Sequence, residues 1–269
     1  MADTSFYTIL QYVGGGFAGW QRQPSDRTVQ GVLEDGLKQL VGRRVVTHAA
    51  GRTDSGVHAL GQVVSFEAPD HWSPDDLRRA LNAVTPPDLW IADLGSAPAG
   101  FHARRHASAR RYRFVIGCDA ASVSPFRRPY EWALGEPVDL DALGEAARLF
   151  RGQHDFRPFS TVGQEKPHYR CKIELCEWRE RPEREGFIFD VEADRFLHHM
   201  VRFMVGAMVD VARTRRPMSD ISALLEATNN AEASPPAPPH GLYMLGALYP
   251  HDELKRVNAF VIDRSNGEH

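Results

Sequence analysis

Along the first hundred residues the apolar positions change period in a fixed order, and that order leaves few folds open. Phe6 to Val13 alternates as a strand, and from Thr28 the spacing shifts to a helix with Val32, Leu33, Leu37, Leu40 and Val41 on one face. Arg44 to Ala50 returns to strand spacing. Gly61 to Glu67 follows as its hairpin partner across the turn Gly51 to His58. Ser73 then caps a second helix, with Pro74 at its first position and Asp75 and Asp76 in the first turn, where carboxylates meet the positive end of the helix dipole. Leu89 to Leu94 closes the run as a strand. The order β-α-β-β-α-β is that of ferredoxin-like domains.

The same order recurs without the same residues. Arg110 to Gly117 reads as a strand, Leu140 to Phe150 as a helix, and Cys171 to Arg181 with Gly186 to Ala193 as a hairpin whose turn holds Pro182. A long helix is expected from Leu197 to about Arg213, its apolar face made of Leu197, Met200, Val201, Met204, Val205 and Met208. A short helix, Asp220 to Ala227, and a last strand, Leu242 to Tyr249, complete the unit. The expectation is an α+β fold of two ferredoxin-like, RRM-like subdomains, residues 1–105 and 106–250, whose antiparallel sheets meet at a central active-site cleft. Ala233 to His240 holds four prolines and reads as a stiff extended connector. Residues 251–269 predict a short helix, Asp252 to Phe260, and a polar tail ending Ser265 to His269.

Composition removes several function classes. No apolar stretch approaches the ~20 residues that span a bilayer, and Met1 to Gly16 lacks the basic-then-apolar pattern of a leader, which predicts a cytoplasmic protein without a membrane partner. Cys118, Cys171 and Cys176 are odd in number and show no CxxC spacing, against both a disulfide framework and a structural zinc site. A net charge of -3 argues against gripping nucleic acid over the whole surface. The distribution says more: there are 28 Arg against 4 Lys, and Phe101 to Phe114 carries five Arg and two His with no acidic residue. Such a stripe can follow a phosphate backbone, although a GC-rich genome and a solvated strand face also favour arginine.

Gly14, Gly16 and Gly19 fall in GxGxxG register after a strand, yet Trp20, Pro24 and Ser25 delay the next helix to Thr28, which a dinucleotide site does not allow. The segment Gly51-Arg52-Thr53-Asp54-Ser55-Gly56-Val57-His58-Ala59 is different. It sets an arginine, a carboxylate, two hydroxyls and an imidazole on one short loop between strands, richer than a turn requires.

That segment resembles the catalytic motif of the TruA family of tRNA pseudouridine synthases. Further stretches match the family in order: Tyr12 through Gly19-Trp20-Gln21-Arg22-Gln23, Thr28 to Gly31, Phe101 to Arg104, Ala109 to Arg113, His154 to Phe156, Phe196 to Arg202, and Pro238 to Tyr243. One departure is visible, since the family has an acidic residue and a single glycine after the first tyrosine, where this chain has Val13 and Gly14 to Gly16.

The resemblance implies isomerisation of uridine to pseudouridine in the anticodon stem-loop of tRNA, at tRNA positions 38 to 40, without cofactor or metal, by a homodimer. It implies that Asp54 is the catalytic carboxylate, as nucleophile or as the base that launches a glycal route. Arg202 is implied as the cation that pairs with it, Tyr112 as the ring that stacks on the uracil, and Arg52 as the side chain that helps displace the target nucleotide. Leu242 and Leu245 correspond to an apolar wall of the pocket. His58 is a further candidate for substrate binding, and Arg104, Arg105, Arg110 and Arg111 are candidates for the tRNA backbone. Two rival readings are a catalytically silent protein with two RRM-like sheets and an Asp-nucleophile phosphohydrolase. The first gives Asp54 no task, and the second lacks further acidic residues near Asp54 to hold Mg²⁺.

Overall fold

The computed structural model of the chain describes residues 2–161, 168–182, 184–250 and 254–266. In chain order the elements are β1 (Asp3–Tyr12), α1 (Val29–Val41), β2 (His48–Ala49), β3 (His58–Pro69), α2 (Pro74–Val84), β4 (Leu89–Ser96), β5 (Ala109–Gly117), β6 (Trp132–Ala133), α3 (Leu140–Leu149), β7 (Gly152–Asp155), β8 (Arg170–Glu180), β9 (Gly186–Ala193), α4 (Met200–Ala212), α5 (Ser219–Glu226), β10 (Leu242–Leu248) and α6 (Lys255–Asn266). The class is α+β with mostly antiparallel pairing. The chain divides into two compact units, Met1–Arg110 with Tyr243–His269, and Arg111–Leu242.

In the first unit β1 runs antiparallel between β3 and β4, and β2 pairs with β3. The pairing of β1 with β3 steps out of register between Leu10 and Tyr12, just where β3 emerges from the Asp54 loop. Thr28 caps α1, its hydroxyl accepting from the Gly31 N–H, and Gly42 ends it in the left-handed region at φ 78°. Ser73 caps α2 as its sequence predicts. Apolar side chains of both helices, among them Leu33, Leu37, Leu77 and Leu81, are wholly buried. In the second unit β8 lies between β9 and β7, while β6 adds in parallel to β5. Helix α3 packs on β8 and on α4. The predicted face of α4, from Met200 to Met208, is buried.

The structure departs from expectation where tertiary pairing overrides local pattern. The strand expected over Arg44 to Ala50 shrinks to His48–Ala49, whose ladder with β3 runs through His48–Ser65 and Ala49–Val64. β6 is too short, and β7 too short and polar, to announce itself by alternation. Helix α4 starts at Met200 rather than Leu197, because His199 takes a left-handed conformation at φ 62°. β10 pairs in parallel with β3 through Tyr243–His58 and Met244–Ala59, so the division differs from 1–105, 106–250 and 251–269, with residues 243 onward belonging to the first unit. The expected C-terminal helix reaches Asn266, which takes in Ser265 of the expected tail. Residues 251–253, where that helix was expected to start, and 267–269 lie outside the described residues.

Candidate active site

The Asp54 loop leaves its short strand at Ala50 and re-enters β3 at His58, and the chain between is held from below by buried polar groups. Gln62, with no exposed surface, donates through Nε2 to the Gly51 carbonyl at 2.6 Å. The Tyr12 and Thr53 hydroxyls share a buried hydrogen bond of 2.8 Å. Burial pushes the Tyr12 phenol up to about 12, against the opposing hydrogen bonds of Thr53 and Gln62. Tyr12 therefore stays a neutral prop at physiological pH.

The first loop, residues 13–20, seals the other side. The Gly14 N–H donates to Nδ1 of buried His58 at 3.1 Å, and the His58 ring stacks on Tyr243 at 4.8 Å. The Trp20 N–H donates to the Thr53 carbonyl at 3.0 Å, and the Ser55 hydroxyl to the Phe17 carbonyl at 3.3 Å. Two glycines make this approach possible. A Cβ on Gly14 would stand 2.1 Å from the Val57 carbonyl oxygen, and one on Gly19, at φ 88°, would stand 2.9 Å from that of Thr53. The Val13–Gly16 departure is thus resolved as a tight 3₁₀ turn, Gly14–Gly16, whose first glycine lies against the Asp54 loop, and α1 opening only at Val29 disposes of a dinucleotide fingerprint. Upon this base Asp54 is half-buried and Arg52 exposed.

Of the arginine stripe, Arg104 and Arg105 are exposed in the first unit. Arg110 is turned inward, its Nε donating to the Ala50 carbonyl at 3.2 Å and its Nη1 to that of Ala107 at 3.0 Å, which ties the stripe to the start of the Asp54 loop. Leu245 is buried in β10 of the same unit.

In the second unit Tyr112 is buried on β5, edge-on to Phe196 at 5.1 Å. Its neighbours are internally paired: Arg111 with Glu192, and buried Arg113 with both carboxylate oxygens of Asp190 at 2.8 and 3.0 Å. Arg202, half-buried in the first turn of α4, donates from Nε to the Ala237 carbonyl at 2.6 Å, while the Ala237 N–H returns to the Arg202 carbonyl at 2.9 Å. The proline-rich connector can lie this close because Gly206 faces it. A Cβ there would come within 2.2 Å of the Pro235 carbonyl oxygen. A guanidinium fixed through Nε presents its terminal nitrogens in one plane. Leu242 is buried at the start of β10, as the last residue of this unit.

Residue patterns missed two features. Gln62 carries no local signal of its role, being one polar residue in an apolar strand. His199 falls inside the helix expected from Leu197 and, with His58, His102 and His198, is a residue that could contact RNA, yet nothing local signals that it is left-handed, shares a 2.7 Å hydrogen bond with the Thr161 hydroxyl, and stacks on His198 at 3.8 Å between ring centroids.

Comparison with known proteins follows these same segments. A family model described as tRNA pseudouridine synthase matches residues 9–104 and 146–250, which include Asp54 and Arg202 and leave Tyr112 in the interval. The tRNA pseudouridine synthase A of Thermotoga maritima is 36% identical over 244 residues, covering 90% of this chain and 98% of its own. Those of Moorella thermoacetica and Maridesulfovibrio salexigens are 39% and 38% identical, covering 87% and 90% of this chain and 94% and 89% of theirs.

Proposed function

The chain belongs to the tRNA pseudouridine synthase family, an isomerase that converts uridine to pseudouridine in tRNA, and from that premise we propose that Asp54 is the carboxylate that carries the reaction. The C1'–N1 bond breaks, the uracil turns, C5 bonds to C1', and the C5 proton is lost while N1 gains one. Atoms and electrons balance within the substrate, so the chemistry calls for no redox partner and no cofactor. An ionised carboxylate serves either route open to it, attack on the nucleoside or removal of a sugar proton to give a glycal. The observation that carries this reading is the mounting of Asp54: a half-buried carboxylate on a loop clamped at Gly51, Thr53 and Val57 by buried groups, far more support than a turn needs.

Arg202 is the cation we assign to Asp54, because its fixed guanidinium suits a carboxylate partner. Tyr112 is the uracil-stacking ring, and Arg52, exposed two residues from Asp54, helps hold the nucleotide out of its helix. Leu242 and Leu245 wall the pocket. His58 serves substrate binding through the loop that it anchors. Arg104, Arg105, Arg110 and Arg111 follow the tRNA backbone, the first two by direct contact. The substrate region is the anticodon stem-loop at tRNA positions 38 to 40, and the working form is a cytoplasmic homodimer. Among the described residues no helix is long and apolar enough to cross a membrane. The β1-α1-β2-β3-α2-β4 order, with strands arranged β4-β1-β3-β2, supports a ferredoxin-like reading of the first unit.

Asp54→Asn keeps the shape of the side chain and removes its charge. Pseudouridine formation, mapped by carbodiimide-dependent reverse-transcription stops, should fall below detection while tRNA binding stays within about threefold, less than ~0.7 kcal/mol. Isomerisation by the variant would overturn the assignment. Loss of binding with the activity would favour a role in recognition.

A further inference from the structure

The turn Phe101–His106 carries a cluster that the catalytic scheme does not use. Its imidazoles are His102, half-buried, and His106, exposed, and the exposed His48 reaches across to stack on His102 at 4.4 Å between ring centroids, nearly parallel. Arg104 and Arg105 are exposed on the same turn. The turn is anchored from within. The Ala103 N–H donates to the Ser65 hydroxyl at 3.0 Å, the Tyr249 hydroxyl donates to the Ala103 carbonyl at 2.8 Å, and the Arg110 guanidinium lies on the Arg104 and Ala107 carbonyls. The ring nitrogens are set as well: Nδ1 of His102 accepts from the Arg104 N–H at 3.2 Å and Nδ1 of His106 from the His102 N–H at 3.4 Å. Each ring, when neutral, therefore carries its proton on Nε2.

We propose that His48, His102 and His106, with Arg104 and Arg105, form a proton-linked site for phosphates of the tRNA backbone. The proposal rests on tRNA being the substrate. Packing holds groups of one sign together, and such a cluster is relieved by an anion. Burial, and after it His48, Arg105 and His106, lower the proton affinity of His102, and the side chains that anchor its turn from other elements, Ser65, Tyr249 and Arg110, bring no carboxylate. A phosphate brought to the cluster reverses the charge contribution and raises that affinity, the added proton going to Nδ1 as the Arg104 N–H gives up its hydrogen bond. Binding then takes up protons. The gain in affinity is complete below the free-state value of His102 and is lost as pH rises through the bound-state value.

The test measures affinity of the Asp54→Asn protein for an unmodified tRNA transcript at constant ionic strength between about pH 5.5 and 7.5, where imidazole titrates. The parent should bind roughly tenfold tighter at the acid end, one proton's worth of linkage over part of its titration. His102→Asn with His106→Asn keeps an acceptor near each Nδ1 position but takes away the imidazoles, and should flatten the dependence to within about twofold. Arg104→Gln with Arg105→Gln, at exposed positions, should keep tighter binding at the acid end, with its midpoint moved up by the loss of Arg105, while lowering the salt dependence by roughly one to two phosphate contacts. An unchanged pH slope in the histidine variant overturns the proposal, as does an unchanged salt slope in the arginine variant. Pseudouridine formation by the wild-type chain on the same transcript separates the outcomes: without it the tRNA reading fails, and with it only the site does.

Discussion

Gly19 shows how far a single missing atom supports the Asp54 loop. Its φ of 88° belongs to glycine, and its bare Cα lets the Thr53 carbonyl and the Asp54 backbone close upon the first loop. Gly19→Ala should lose about 1–2 kcal/mol to the left-handed conformation alone, with more from the contact. Two other glycines separate these causes. Gly42 has φ 78° with nothing within 4 Å of a built Cβ, so Gly42→Ala should lose a similar stability and keep full turnover per folded molecule. Gly15 has open space and no positive φ, so Gly15→Ala should be neutral in both. Denaturant unfolding with single-turnover rates checks the set, and a Gly19→Ala protein as active per folded molecule as Gly42→Ala would remove the clamp from the account. At this scale the sequence was legible in kind. The residue types of the loop pointed to chemistry, and the glycines before it were visible, but their reason was not, because it lies in a carbonyl more than thirty positions away.

Helices were legible wherever a cap or a stripe announced them, as Thr28, Ser73 and the Met200–Met208 face did. Strands were legible as runs, and as partners only where a turn joins them in sequence, as in β2 with β3 and β8 with β9, since period two names a face and never a distant neighbour such as β10 for β3. The start of α4 shows what local pattern cannot report. His199 sits left-handed at the N-cap without a capping side chain, held by Thr161, three residues ahead of Arg202. Histidine tolerates this region better than most residues, yet glycine would tolerate it without cost. His199→Gly should therefore change unfolding free energy by less than ~1 kcal/mol, relieved strain offsetting the lost hydrogen bond. Turnover should fall roughly ten- to a hundredfold with little change in KM, because the helix end that aims Arg202 is no longer fixed. The reverse pattern, lower stability with normal kcat, would make His199 a folding residue only.

At the scale of the whole chain, the C-terminus returns to the unit that begins it. β10 lies beside β3 with the Leu245 carbonyl only 2.1 Å from where a Gly61 Cβ would stand, and Tyr243 stacks on His58 at the exit of the Asp54 loop. Helix α6 and the residue before it cover that seam: Leu254, Val257 and Val261 are wholly buried, and Gly246 leaves room for Val261. Arg256 pairs with Asp93 at 2.8 Å, and Tyr7 donates to the same carboxylate at 3.2 Å. Desolvation, then the Asp93 charge, hold the Tyr7 phenol up to about 12, so its hydroxyl keeps its proton near neutrality. No local pattern could place α6 here, since Leu254, Val257 and Val261 read equally well as the face of a free amphipathic helix. Leu254→Ala should lose about 2–5 kcal/mol, and the loss should be local to the first unit. Hydrogen exchange is the direct measure: amides from His58 to Gln62 and from Tyr243 to Leu248 should exchange faster, while those of β8 and β9 keep their rates. Equal acceleration in both units would mean that they unfold as one body, and no acceleration in the first would mean that α6 does not hold the seam that supports the Asp54 loop.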